Sequence, residues 1–207
     1  MSVTVNEVVK YIQEYLGGTI HNDVLPDKLL LGFSTPQQNR KDTMIWSNQD
    51  DLDLTDLKAS LIIVKKRNSS IDRSDIVVAV VEDPRLAFAK ISEKFFKEQS
   101  SSTIHHTALI HETCRIEADV TVGPYSVIKE NVHIGEGTII QNNVTIEADT
   151  IIGKHCVIKS CAVVGEEGFG VARDKNNLLI KMVHRGKVIL GDYVELGSNS
   201  TTCRGTI

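Results

Sequence analysis

The chain has 207 residues, a mass of 22.9 kDa, a formal charge of -4 and a pI near 6.0, enough for one large or two small domains with their own cores. That charge balance argues against a protein whose main task is coating nucleic acid, and it favours small molecules or proteins as partners. The first eighteen residues mix acids and polar groups with their aliphatics, so they provide neither a signal peptide nor a membrane span, and a cytoplasmic protein is expected.

Residues 1–99 read as a small α/β domain. In "VNEVVKYIQEYLGG" the apolar Val8, Val9, Ile12 and Leu16 fall on one helical stripe, and Gly17-Gly18 supply the permissive backbone that ends the helix. The β-branched runs at 59–66 and 75–84, bounded by turn formers, predict buried strands. In "EDPRLAFAKISEKFFKEQ", Asp83 is a natural cap for a helix that Pro84 starts and that Leu86, Ala87, Ile91 and Phe95 keep amphipathic. The "QSSS" from Gln99 then predicts a short polar hinge.

Residues 100–207 follow a different pattern. From Ile104 the chain divides into IHHTAL, IHETCR, IEADVT, VGPYSV, IKENVH, IGEGTI, IQNNVT, IEADTI, IGKHCV, IKSCAV and VGEEGF. All eleven begin with Ile or Val, and the fifth residue is always small or β-branched. The pattern returns as LGDYVE, LGSNST and TCRGTI, so 170–189 reads as a loop inserted into an otherwise regular array. A period of six predicts a parallel β-helix, each hexapeptide forming one side of a triangular coil and residues eighteen apart stacking. The fold class expected is therefore mainly β, a parallel β-helix of hexapeptide repeats behind a small N-terminal α/β domain.

The four cysteines, Cys114, Cys156, Cys161 and Cys203, show no Cys-x-x-Cys pairing and read as small buried thiols rather than disulfides or a zinc site. Among the coil histidines, 111 to 133 and 133 to 155 are each twenty-two apart, so none is stacked on another for metal binding, and no metal is expected. His105, His106, His111 and His133 are expected on the surface. "GEEGFG" is not set between a strand and a helix as a dinucleotide fingerprint requires, and Gly186-Lys187 lacks the flanking residues of a phosphate-binding P-loop.

"VVEDPRLAFAKI", the hexapeptides, "VVGEEGFGVARD" and "VILGDYVELGSNSTTCRGTI" together resemble the UDP-3-O-(3-hydroxyacyl)glucosamine N-acyltransferases of lipid A biosynthesis, over nearly the whole chain. The resemblance implies a left-handed coil, a homotrimer whose sites lie in grooves between subunits, and transfer of an acyl group from an acyl-carrier-protein thioester to the amino group of a nucleotide sugar, with no tightly bound cofactor. A coenzyme A-dependent amino-sugar N-acyltransferase of another surface-glycan pathway, and a truncated or inactive ligand-binding homologue, are the alternatives. In such chemistry a neutral histidine takes the amine proton and backbone N–H groups stabilise the oxyanion.

Site residues follow by the same resemblance. The family binds uracil through a motif of the form Ser-Phe-x-Ser-Asn-x-x-Tyr, to which "MIWSNQDD" contributes Ser47 and Asn48, with Ile45 and Asp51 at the aromatic positions and Trp46 offering a substitute ring. Gly168, Phe169 and Gly170 form a turn that serves as an oxyanion donor, as an acyl-chain wall, or only as the start of the loop. The family's histidine base lies about one coil past Ile207, so this chain is either a truncated form or a short homologue with another base. For the second case His184 is the first candidate base and His155 the second, with Arg185 and Lys187 beside His184 as phosphate ligands.

Overall fold

The computed structural model describes residues 3–22, 28–49, 56–66, 75–97 and 102–207. The chain divides into two compact units, Met1–Glu98 and Gln99–Ile207. Of the expected hinge at 99–102, only Ser102 is among the described residues.

The first unit is a sheet covered by two helices. Its elements are β1 (Val3–Thr4), α1 (Val5–Tyr15), β2 (Thr19–His21), β3 (Leu29–Leu30), β4 (Gly32–Phe33), β5 (Thr43–Ser47), β6 (Leu61–Val64), β7 (Val77–Val80) and α2 (Pro84–Phe96). β4, β5, β6 and β7 are parallel neighbours in sequence order, β2 lies antiparallel on the outer edge of β7, and β1 pairs with β3. Thr4 and Glu7 close the start of α1 with a reciprocal capping box, and Gly17, at φ 63, supplies the left-handed residue that ends it. Asp83 caps α2 by accepting from Leu86 N at 3.0 Å.

Both faces of this sheet are buried, which is why β6 and β7 read as unbroken apolar runs. Met44, Leu61, Ile63, Val77 and Ala79 pack against Val5, Val8, Val9 and Ile12 of α1 and Ala87 and Ile91 of α2. Ile45, Ile62, Val64 and Val78 point the other way, onto Leu57, Ala59 and Ile76.

The second unit is the left-handed parallel β-helix that the hexapeptides imply. Its short strands, most of two residues, stack into three parallel sheets of four, five and four strands. The register is one coil of eighteen residues: Val127 pairs with Thr145, His133 with Ile151, and Ile139 with Val157. First-position aliphatics from Val122 to Val164 are buried, as are the fifth-position Val120, Ser126, Val132, Thr138, Val144, Thr150, Cys156 and Ala162. Each repeat thus sends two side chains inward.

The corner itself is the fourth position. Asp119, Tyr125, Asn131, Asn143, Asp149, His155, Cys161, Tyr193 and Asn199 all have φ between 53 and 63, and Gly137 has 69. That left-handed backbone turns the chain through the corner, and Asn, Asp and Gly adopt it at least cost. Next to it, fifth-position hydroxyls bond forward to the next coil. Ser126 Oγ donates to Gln141 O at 2.7 Å and Thr138 Oγ1 to Gly153 O at 2.9 Å.

This geometry corrects the uniform reading of the cysteines. All four are free; Cys156 is buried and Cys114 half-buried at fifth positions, but Cys161 occupies a corner and is exposed, as is Cys203. Across 170–189 the pairing jumps to thirty-eight residues, Ile151 to Ile189 and Val157 to Glu195, twenty more than a coil, so the insertion leaves the stacking intact.

The coil interior and its corners predict different mutational responses. Ile146→Ala is expected to cost about 2–5 kcal/mol, the usual loss for a truncated core aliphatic. Asn143→Val, which puts a β-branched residue at φ 54, is expected to cost about 1–2 kcal/mol, while Asn143→Gly costs less. Urea midpoints of the three variants check both.

Candidate functional site

The insertion leaves the coil at Val164. Gly165, at φ 92, shifts the register between Val164 and Glu166, and the strand Val163–Glu167 continues beside Thr201–Arg204. The shift has a local cost. Thr150 Oγ1, a buried fifth-position hydroxyl, has no partner among the described residues, and the carbonyl at the equivalent place one coil on, Gly165 O, accepts from Arg204 Nε. Arg204 Nη2 also donates to Ala148 O at 3.0 Å, so one guanidinium ties down the point of departure.

Past Gly168-Phe169-Gly170 the chain forms an antiparallel hairpin, Val171–Arg173 against Leu179–Lys181. Asp174 Oδ1 closes its turn by accepting from Asn176 N at 2.8 Å and Leu178 N at 2.9 Å. The return strand places His184 against the base of the hairpin, only 9% exposed. Its Nδ1 lies 3.0 Å from Met182 O, which can only accept, so Nδ1 carries a proton, and in the uncharged form of the ring the lone pair lies on Nε2.

The two glycines of the turn are explained by this ring. A Cβ on Gly168 would lie 2.9 Å from His184 Nε2, and one on Gly170 would lie 3.2 Å from Cε1. Neither glycine has a positive φ; the imidazole lies against the backbone, so a Cβ would overlap it at Gly168 and press on it at Gly170. Phe169 between them is almost fully exposed, at 94%. Glu167 pairs with Lys181 across the hairpin base, and that hydrogen bond and charge, with smaller contributions from His184 and Arg204, hold its carboxyl below the usual carboxylate range. The arrangement can present an oriented imidazole, backbone N–H groups and a projecting aromatic ring within one loop.

Arg185 and Lys187 are exposed on the irregular segment that returns to the coil, where Arg185 N donates to Thr206 O at 3.1 Å. His155 stands apart from the His184 cluster in its environment. It is an exposed corner residue stacked on Tyr193, with ring centroids 5.2 Å apart, and no hydrogen bond to its ring is found among the described residues. His133, like His105, is half-buried, contrary to expectation, whereas His106 and His111 are exposed. His133 sits on the outer face of a strand with Nε2 at 3.0 Å from Glu117 Oε1, and this contact, followed by the N–H of Glu136, depresses the Glu117 carboxyl. His105 and His111 each bond a threonine two residues on. Among the described residues no group of three or more His, Cys, Asp or Glu could hold a metal ion, and no helix is long and apolar enough to cross a membrane.

In the first unit, β5, β6 and β7 run the same way, so their carboxyl ends open together beside the first turn of α2. A cleft of about 640 Å3 lies there, lined by Asn48, Lys65, Glu82, Asp83, Pro84 and Leu86. This is where open parallel sheets generally bind ligands. Of the three residues expected near a base, only Asn48 lines the cleft. Ser47 is buried and its hydroxyl accepts from Gln49 N at 3.0 Å, ending β5. Trp46 packs with the core face of the sheet, its ring 6.0 Å from that of Phe88. Asp51 lies outside the described residues. Lys65 and Glu82 were not singled out from sequence, although Lys65 directly follows β6 and Glu82 lies two residues past the end of β7.

Residues 113–148 and 131–166 match the family Bacterial transferase hexapeptide (six repeats). The UDP-3-O-acylglucosamine N-acyltransferase of Coxiella burnetii (strain Dugway 5J108-111) is 34% identical over 174 residues, covering 74% of this chain and 50% of the relative. That of Pseudomonas syringae pv. tomato is 33% identical in an alignment of 228 positions, covering 100% of this chain and 63% of the relative. The chain is a hexapeptide-repeat homologue of the UDP-3-O-acylglucosamine N-acyltransferases. It spans about half the length of the curated relatives it matches, 50% for the Coxiella protein. A crystal structure of Francisella novicida UDP-N-acetylglucosamine acyltransferase is 30% identical, covers 48% of this chain and 33% of that one, and superposes with a TM-score of 0.41.

Two measurements check this loop. Gly168→Ala forces its new methyl against His184 and is expected to destabilise the protein by about 1–3 kcal/mol, read as a lower urea midpoint. Because the folded-state value of Glu167 is depressed, the stability from its pairing is present above the ordinary carboxylate range and is lost as pH falls through the depressed value. Lys181→Met is expected to raise the Glu167 titration midpoint toward the ordinary value, as followed by carboxyl-carbon NMR.

Proposed function

We propose that this protein is a sugar N-acyltransferase of the lipid A type, moving an acyl group from an acyl-carrier-protein thioester to the amino group of a UDP-linked glucosamine. The observation that carries the reading is the similarity to the Pseudomonas syringae UDP-3-O-acylglucosamine N-acyltransferase, which extends over all of this chain and so includes the cleft-bearing unit as well as the coils. In this reading the amine attacks the thioester carbonyl, the C–N bond forms, the C–S bond breaks, and the thiolate leaves with the proton that the amine gives up. His184 is the base in this proposal. Its Nδ1–H donates to Met182 O, which leaves Nε2 free to accept a proton. Backbone N–H groups of Gly168-Phe169-Gly170 stabilise the oxyanion or wall the acyl chain, and Arg185 and Lys187 meet phosphate.

His155 is the weaker candidate because stacking on Tyr193 orients its ring without a hydrogen-bonded partner, among the described residues, to set its tautomer. Asn48 belongs to the acceptor site, with the nucleotide in the cleft of the first unit. A homotrimer is proposed as well. The hairpin leaves Phe169, Leu178, Leu179, Ile180, Met182 and Val183 exposed by 44% or more, an apolar surface that a second copy would cover. The cytoplasm is the compartment in which acyl-carrier thioesters would reach the enzyme.

A thiol-release assay with acyl-carrier-protein and acyl-coenzyme A donors, using UDP-3-O-acylglucosamine as acceptor, tests the reading. Release that requires both the carrier-protein donor and the acceptor is expected; no release with either donor would sink it. His184→Ala is expected to lower kcat by about 10²–10⁴-fold, the range for loss of a general base, and full activity in that variant excludes His184 from the role.

A further inference from the structure

We propose that the first unit carries a second ligand site, at the end of the sheet opposite the cleft, and that it takes a small phosphate ester bearing hydroxyl groups. A cavity of about 330 Å3 opens there, lined by Lys28, Lys41, Asp42, Lys58 and Asp75. Lys41 and Asp42 immediately precede β5, Lys58 stands three residues before β6, and Asp75 stands two residues before β7. These strands are parallel, so the residues ahead of them gather at one edge of the sheet, while Asn48, Lys65 and Glu82 follow the same strands at the other. Four or five residues of strand separate the two ends, about 13–17 Å at the usual rise. The inference therefore does not rest on the nucleotide reading of the cleft.

Three separate connections each bring one lysine to this cavity, and their ammonium groups repel one another. Lys28 Nζ donates to Asp75 O at 3.0 Å, a neutral carbonyl that leaves the charge in place. No hydrogen bond or ion pair engages the ammonium of Lys41 or Lys58 among the described residues. The backbone beneath the three is fixed. Val5 N donates to Lys28 O at 2.8 Å, Leu31 N donates to Asp42 O at 2.7 Å, and Lys58 N donates to Asn39 Oδ1 at 2.6 Å. Asp42, at φ 58, makes the left-handed turn into β5. The stems of the three side chains are thus placed before any ligand arrives, which favours binding.

These features select the ligand. A phosphate monoester carries roughly two negative charges at neutral pH and several strong acceptor oxygens, which match a group of point-charge ammonium groups. The carboxylates of Asp42 and Asp75 in the same cavity disfavour an extended polyanion, and they accept hydrogen bonds from hydroxyls. The volume suits a small molecule at the lower end of the usual range. A phosphorylated sugar or polyol meets all three conditions.

Equilibrium titration of the full chain with glycerol 3-phosphate and with inorganic phosphate, at constant ionic strength, tests the site. The readout is the NMR signals of the lysine ε-methylenes, with circular dichroism as a check on folding. Saturable shifts of the Lys28, Lys41 and Lys58 signals with one shared midpoint are expected. Lys41→Met and Lys58→Met alter exposed side chains, and each is expected to weaken glycerol 3-phosphate about tenfold or more, the scale of one charge-assisted hydrogen bond. Lys65→Met, at the other end of the sheet, is expected to leave these midpoints unchanged. The ester is expected to bind a few-fold more tightly than inorganic phosphate, and Asp42→Asn, which tolerates the left-handed turn, is expected to remove that preference. Shifts that grow without saturation, or undiminished affinity in the double variant Lys41→Met/Lys58→Met, overturn the site. A short single-stranded DNA that shifts the same lysines and binds more tightly than either probe overturns the small-ligand assignment, and equal binding of the two probes overturns the hydroxyl contact.

Discussion

Everything in the second unit depends on the stacking of one aliphatic side chain on another eighteen residues away. Ile128 over Ile146 and Ile134 over Ile152 are repeated contacts of a single kind, and each coil's interior is completed only by its neighbours. The stack demands that six residues span each side and that the backbone reverse its φ once per side. The fourth-position residues meet that demand, and the small or β-branched residue after each corner fills the space the turn leaves. Buried hydroxyls at that slot remain affordable because the next coil offers a carbonyl, as Gln141 does for Ser126.

The hairpin shows what happens where that rule is suspended. At Gly165 the chain departs from register, Thr150 Oγ1 has no partner among the described residues, and Arg204 donates to the carbonyls of Gly165 and Ala148. The loop then builds a small structure of its own around the His184 ring, with Gly168 and Gly170 against the imidazole and Glu167 paired to Lys181. A buried imidazole with one nitrogen committed to a carbonyl is rigid, and rigidity is what both a catalytic base and a structural wedge require. In the first unit the same economy appears in another form, since parallel strands that end together give a cleft without any dedicated binding loop.

The coils were legible because their signal is repeated. Eleven hexapeptides with the same first and fifth positions leave little room for another fold, and the residues that spell the register are the ones that stack. The corner was not read, because the Asn and Asp at fourth positions are interspersed with Tyr125, His155 and Cys161, and the four cysteines were all assigned to the interior. The N-terminal sheet was read in part. β6 and β7 announce themselves as β-branched runs, whereas β5 was taken for a ligand motif, so Trp46, which packs against Phe88, was offered as a stacking ring. Lys65, Glu82 and the Glu167–Lys181 pair could not be found by pattern, because what brings each group together is a parallel sheet edge or a hairpin crossing, and neither leaves a local trace in the chain.

The intact pairing of Ile151 with Ile189 across the insertion has a further meaning. The ends of the excursion are held by the coil at a separation the coil alone determines, so the length of the hairpin is not a variable of the fold. Changing it alters the hairpin's own contacts and a loop-closure entropy that grows slowly, by about 0.6 kcal/mol for each doubling, but not the stacking register beneath it. The scaffold and its most chemically equipped segment can therefore vary independently, the one constrained by repetition and the other free to lengthen, shorten or exchange side chains while the prism beneath it keeps its count of eighteen.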